Sequence, residues 1–96
     1  MSFFVYILYS VSINKYYVGQ TDDLNERIAI HNTAGFANSF TKAGIPWELY
    51  YLIECNGRKQ AVNIEGHIKK MKSVKYYQSL KSYPKIVETL KIQYPG

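Results

Sequence analysis

Five side chains stand out by type and spacing. Tyr6 and Tyr17 lie in two aromatic runs, Arg27 and His31 are four residues apart, and Glu65 falls within an apolar stripe. Together they suit phosphodiester chemistry. A carboxylate can hold a divalent cation, a guanidinium can meet the charge that develops on a phosphate, and a phenol or imidazole can orient or deprotonate water. A phenol titrates near pKa ~10, too high for a base at neutral pH, so either a nearby cation must lower it or a neighbour such as His31 must relay the proton. Other chemistries lack their parts. One Cys and 2 His cannot close a tetrahedral zinc shell, and the chain has no glycine-rich phosphate loop.

Positioning these groups requires a sheet and two helices. Phe3 to Tyr9 is almost continuously apolar, as in a central strand covered on both faces. Ser10 to Lys15 forms the turn, pivoting at Asn14, a residue type that tolerates left-handed backbone. Tyr16 to Thr21 returns as a second strand, with Tyr17 and Gly19 on one face and Tyr16 and Val18 on the other. Gly19 weakens a strand, so something is expected to approach its backbone closely.

Asp23 and Glu26 have capping-box spacing, predicting a helix over Leu24 to Asn32. Leu24 and Ile28 point inward on that helix, with Arg27 and His31 along the edge. Thr33 to Pro46 reads as a long loop with at most one helical turn, and Trp47 to Glu54 as a third strand. A second helix spans Arg58 to Lys72, with Ala61, Ile64, Ile68 and Met71 inward. Glu65 shares that stripe and needs a partner; a cation and Lys69, four residues on, both qualify. Two short helices broken at Tyr83, before Pro84, complete the chain. The expected architecture is an α+β domain, a three-stranded antiparallel sheet flanked by helices. The tyrosines form a site with the remaining groups if the Arg27 helix and the Glu65 helix pack on the same side of it.

At 96 residues the chain is long enough for one domain, residues 1–96, and one core. Ten Tyr against 4 Phe and 1 Trp indicate half-buried aromatic surfaces. The formal charge of +5 suits a polyanionic partner and simple solubility equally. Lys69, Lys70, Lys72 and Lys75 cluster as either a solvated face or a phosphate-contacting one, and Lys42 joins them as a candidate nucleic-acid contact. The lone Cys55 reads as a small buried residue at a strand end and fits a reducing cytoplasm. The sequence has neither a signal-peptide pattern nor a segment of membrane-spanning length.

Phe4-Val5-Tyr6 followed after ten residues by Tyr17-Val18-Gly19 resembles the paired signature of the GIY-YIG nuclease superfamily. The helix LNERIAIHN resembles that family's next element, and Glu65 in IEGHIKKMK its metal-binding glutamate. The chain is most similar to small, stand-alone bacterial members, which also share the glycine-containing loop that leads to a proline before the third strand. The resemblance covers Phe3 to about Lys72. It implies an endonuclease acting on DNA, in repair or processing, with one Mg²⁺ or Mn²⁺ on Glu65. Arg27 would bind the scissile phosphate, and Tyr6 or Tyr17 would act on the water. Phe4 stands where the family signature has its first glycine, and Tyr77 lies near the place of a frequent asparagine. Two further classes fit the same residues: a catalytically silent nucleic-acid binding module, and a protein-interaction domain using the tyrosine-rich surface.

Overall fold

A computed structural model of the chain describes residues 2–33 and 39–96. Three strands and five helices follow one another: β1 (Phe3–Ser10), β2 (Lys15–Thr21), α1 (Leu24–His31), α2 (Ser39–Ala43), β3 (Trp47–Cys55), α3 (Arg58–Met71), α4 (Val74–Ser82) and α5 (Pro84–Gln93). The strands form one antiparallel sheet in the order β2-β1-β3, so the near-continuously apolar β1 is central, as its composition predicts. The tight return into β2 depends on Asn14, whose φ of 51° is left-handed and whose Oδ1 accepts from the Tyr9 hydroxyl at 2.7 Å. Of the loop expected over Thr33 to Pro46, residues 34–38, the glycine at position 35 among them, lie outside the described residues.

Alternation along the strands gives the sheet one main core on one face and a smaller apolar cluster on the other. Val5, Ile7, Val18 and Ile53 meet Ala61, Ile64 and Ile68 of α3, with Leu80 and Leu90 of α4 and α5 behind them. Tyr6, Leu8 and Trp47 line the opposite face, where Leu24 and Ile28 of α1 pack. The Arg27 helix and the Glu65 helix therefore cover opposite faces, not the shared face expected from sequence. The cause is the alternation itself: Tyr6 and Tyr17 belong to one side of the pleat, and the aliphatic residues that α3 needs belong to the other.

A bulge in β3 bears directly on the site. Ile7 pairs with Tyr51 but Leu8 with Leu49, so Tyr50 is the extra residue. Tyr50 and Tyr51 both pack on the α3 side, and the strand then resumes one residue out of phase. That shift sends Trp47 to the Tyr6 face; strict alternation from Ile53 would have placed it against α3.

Helix ends follow local chemistry. Asp23 caps α1 by accepting from the Glu26 N–H at 3.1 Å, while its own N–H donates to Thr21 Oγ1 at 3.0 Å. Half of the expected capping box is thus made by threonine. Ser73 caps α4, and Pro84 opens α5 at a position where its missing N–H costs nothing. Met71, expected inward on α3, is exposed. Cys55 is buried at the end of β3, and burial raises its thiol pKa. Among the described residues no helix is long and apolar enough to cross a membrane.

Candidate active site

Tyr6 and Tyr17 sit on neighbouring strands and on the same face, because Tyr6 pairs with Gly19 and Leu8 with Tyr17. Their rings stack with centroids 6.5 Å apart and an interplanar angle of 17°. Gly19 explains how Tyr6 lies down. A Cβ at residue 19 would overlap the Tyr6 hydroxyl and Cζ, so the close approach expected at this glycine is made by the phenol across the strand.

The C-terminal turn of α1 delivers His31 onto this pair. Its Nε2 lies 3.2 Å from the Tyr6 hydroxyl, a hydrogen bond whose direction follows the imidazole tautomer. The imidazole is edge-on to Tyr17, with centroids 4.4 Å apart, and 6.5 Å from the Trp47 ring. His31, in the last turn of α1, is 8% exposed and the one buried residue of that helix. Trp47 also packs edge-on against Tyr17 at 6.2 Å, and its Nε1–H donates to the Thr41 carbonyl at 2.8 Å.

These surroundings set the protonation states. Burial, with a smaller contribution from the Tyr17 phenol, pushes the Tyr6 hydroxyl up to about 12; the Arg27 guanidinium acts against this and the Glu65 carboxylate with it. Burial, and secondarily the charge of Arg27, hold His31 below its usual pKa of 6.5. At neutral pH the buried pair is an un-ionised phenol beside a neutral imidazole.

Arg27 is exposed, one turn before His31, and close enough for its charge to act on both partners. Glu65 sits on α3, its side chain 20% exposed and its Oε2 3.5 Å from Lys69 Nζ. Although α3 packs beneath the other face, the carboxylate charge is felt at Tyr6. Among the described residues no three His, Cys, Asp or Glu side chains gather. A cation at Glu65 would thus have one protein carboxylate and otherwise water or phosphate oxygens, a donor set that suits Mg²⁺.

The remaining candidates are dispersed. Lys42, on α2, is exposed one residue after Thr41, whose carbonyl holds the Trp47 indole. Lys72 borders a cavity of about 350 Å³ with Asn14, Lys15, Tyr16, Ser73, Val74 and Tyr77. This cavity opens on the Tyr16 side of the sheet, where Tyr77 packs against Tyr16 at 5.4 Å. Lys70 borders a smaller recess with His67 and Tyr94, and Lys75 is exposed on α4.

Sequence reasoning missed Trp47 and Asn32. Trp47 reaches the site through the bulge at Tyr50, for which the apolar run of β3 carries no signal. Asn32 was legible as a helix end, but its side chain bonds the backbone of a residue fifteen positions away.

Known proteins resemble this chain in sequence and in fold. Two UPF0213 proteins of Streptococcus pneumoniae, from strains TIGR4 and R6, are each 35% identical over 57 residues, covering 59% of this chain and 57% of theirs. The chain therefore spans less than two thirds of the length of these curated relatives. The NMR structure of a UPF0213 protein from Bacillus halodurans superposes with a TM-score of 0.53 at 27% identity, covering 85% of this chain and 84% of that one. It has the same type of fold. The model of the GIY-YIG catalytic domain matches residues 2–78, most of the chain and every element of the site, and the chain belongs to that family.

Proposed function

We propose that the chain is a metal-assisted endonuclease that hydrolyses phosphodiester bonds in DNA, serving repair or processing. The observation that carries this reading is the 3.2 Å contact between the Tyr6 hydroxyl and His31 Nε2, with the Arg27 charge alongside. With its pKa raised to about 12, Tyr6 is not a phenolate at neutral pH. It acts instead as a relay. With the imidazole in the tautomer protonated on Nδ1, the Tyr6 O–H donates to Nε2. As the water oxygen bonds to phosphorus, the water proton passes to the Tyr6 oxygen, the Tyr6 proton passes to Nε2, and the leaving oxygen departs with the bond pair. No free phenolate forms. This favours relay through Tyr6 over lowering of its pKa by a cation, and leaves Tyr17 to position the imidazole and the water.

Arg27 binds the phosphate by charge-assisted hydrogen bonds. Binding also activates the base: an anion on Arg27 offsets the charge that holds His31 low. Glu65 is the residue that would hold a single Mg²⁺ or Mn²⁺, which when bound supplies charge neutralisation at a phosphate oxygen. The test is incubation with plasmid, single-stranded and branched DNA in Mg²⁺ or Mn²⁺. Cleavage by the wild type, reduced in both Glu65→Ala and Arg27→Ala, is expected. Equal nicking by wild type and Glu65→Ala on all substrates would sink the enzyme reading.

A second reading, a binding module without turnover, is favoured by the Glu65–Lys69 contact, which occupies one carboxylate oxygen, and by the packing of α3 on the far face. It predicts salt-sensitive DNA binding without cleavage.

A further inference from the structure

Asn32 follows His31 directly, and its side chain is committed to the backbone of a distant residue. The Trp47 N–H donates to Asn32 Oδ1 at 2.6 Å, and Asn32 Nδ2 donates to the Trp47 carbonyl at 3.1 Å. One primary amide occupies both backbone groups of one residue, as a neighbouring strand would. It does so on β3, an edge strand of the sheet, at the residue where that strand begins.

We propose that Asn32 is the positioning residue of the site: by fastening the end of α1 to the first residue of β3, its side-chain amide fixes the His31 imidazole against the Tyr6 hydroxyl. The inference deepens the phosphodiesterase reading and rests on it. α1 has eight residues, shorter than the roughly 12–15 at which an isolated helix becomes even marginally stable, so its geometry is set by what it is attached to. Leu24 and Ile28 attach its first two turns to the sheet. His31 is in the last turn, where helices fray. The backbone N–H of Asn32 bonds to Ile28 and Ala29, as any residue type would there, so these bonds do not account for asparagine. The amide does, because it reaches the strand that carries Trp47. A drift of about 1 Å would take a 3.2 Å contact out of hydrogen-bonding range. Asn32 touches neither phenol nor phosphate in this scheme, and acts through His31.

The test compares the full chain as wild type, Asn32→Leu, which keeps approximate shape without the hydrogen bonds, and Asn32→Gln, which keeps the amide on a longer stem. Asn32→Ser replaces the leucine variant should that one not fold. The diagnostic readout is the NMR shifts of the His31 ring protons, which sense the ring currents of Tyr17, 4.4 Å away, and Trp47. In Asn32→Leu these shifts move, and the DNA cleavage rate falls about tenfold or more while DNA affinity changes less than about twofold. Asn32→Gln recovers part of both losses. Unmoved His31 shifts in a folded Asn32→Leu protein, with or without a change in melting temperature, overturn the inference. If the wild type cuts no DNA, the enzyme reading falls alone, and the NMR comparison still decides whether Asn32 places His31.

Discussion

A phenol pushed to about 12 and an imidazole held below 6.5 are each poorly matched to neutral solution, yet as partners they fit a relay that starts with both uncharged. Tyr6→Phe keeps the ring over Gly19 and removes one hydrogen bond, a loss of roughly 1 kcal/mol in stability. Cleavage is expected to fall about 10²-fold or more, measured with saturating DNA, while circular dichroism shows a folded protein. Burial is the first cause that holds His31 low and the Arg27 charge the second. Arg27→Ala should therefore shift the His31 titration, followed by NMR, upward toward 6.5 without abolishing the burial effect. The lowered pKa also links to stability: above the unfolded value of 6.5 the stability is intact, and it is lost as pH falls through the depressed folded value, because the unfolded chain takes the proton first. The melting temperature of the wild type should drop below pH 6.5 more steeply than that of His31→Gln.

Two glycines make the same substitution run in opposite directions. At Gly19 in β2, an added Cβ meets the Tyr6 hydroxyl and Cζ, so the buried phenol ring has to move. Gly19→Ala should cost about 1–3 kcal/mol and displace Tyr6 from His31, lowering activity with stability. At Gly66 in α3 a Cβ meets no described atom within 4 Å, and mid-helix glycine costs conformational entropy. Gly66→Ala should gain about 0.5–1 kcal/mol. Each kcal/mol is worth roughly 4–8 °C in a domain of this size, so thermal melts separate the two signs. The strands, their order and the break at Pro84 were legible in the sequence because periodicity, turn chemistry and proline act locally. The bulge at Tyr50 was not: both Tyr50 and Tyr51 are suitable on either face, and the choice depends on how α3 and α4 fill the space beneath the sheet. With it went the location of Trp47.

The division of the molecule into two faces decides how its +5 charge can be used. Sequence adjacency grouped Lys69, Lys70, Lys72 and Lys75, but folding sends Lys72 to the Tyr16 cavity, on the far face from the phenols, and pairs Lys69 with Glu65. Lys42 belongs to the helix whose Thr41 carbonyl holds the Trp47 indole, and Trp47 packs on Tyr17 and His31. A DNA backbone engaged by Arg27 and reaching the Tyr6–His31 pair would run along the α1 and α2 side. Each phosphate contact neutralised by a lysine steepens the dependence of log affinity on log salt by about 0.9 for duplex DNA. Lys42→Glu should therefore weaken binding and reduce that slope by roughly one contact, whereas Lys72→Glu should leave the slope near the wild-type value. Titrations of a labelled duplex across a salt series would check this. A Lys72→Glu slope reduced as much as that of Lys42→Glu would mean that DNA wraps both faces of the sheet, and that the tyrosine cavity beside α4 belongs to the binding surface.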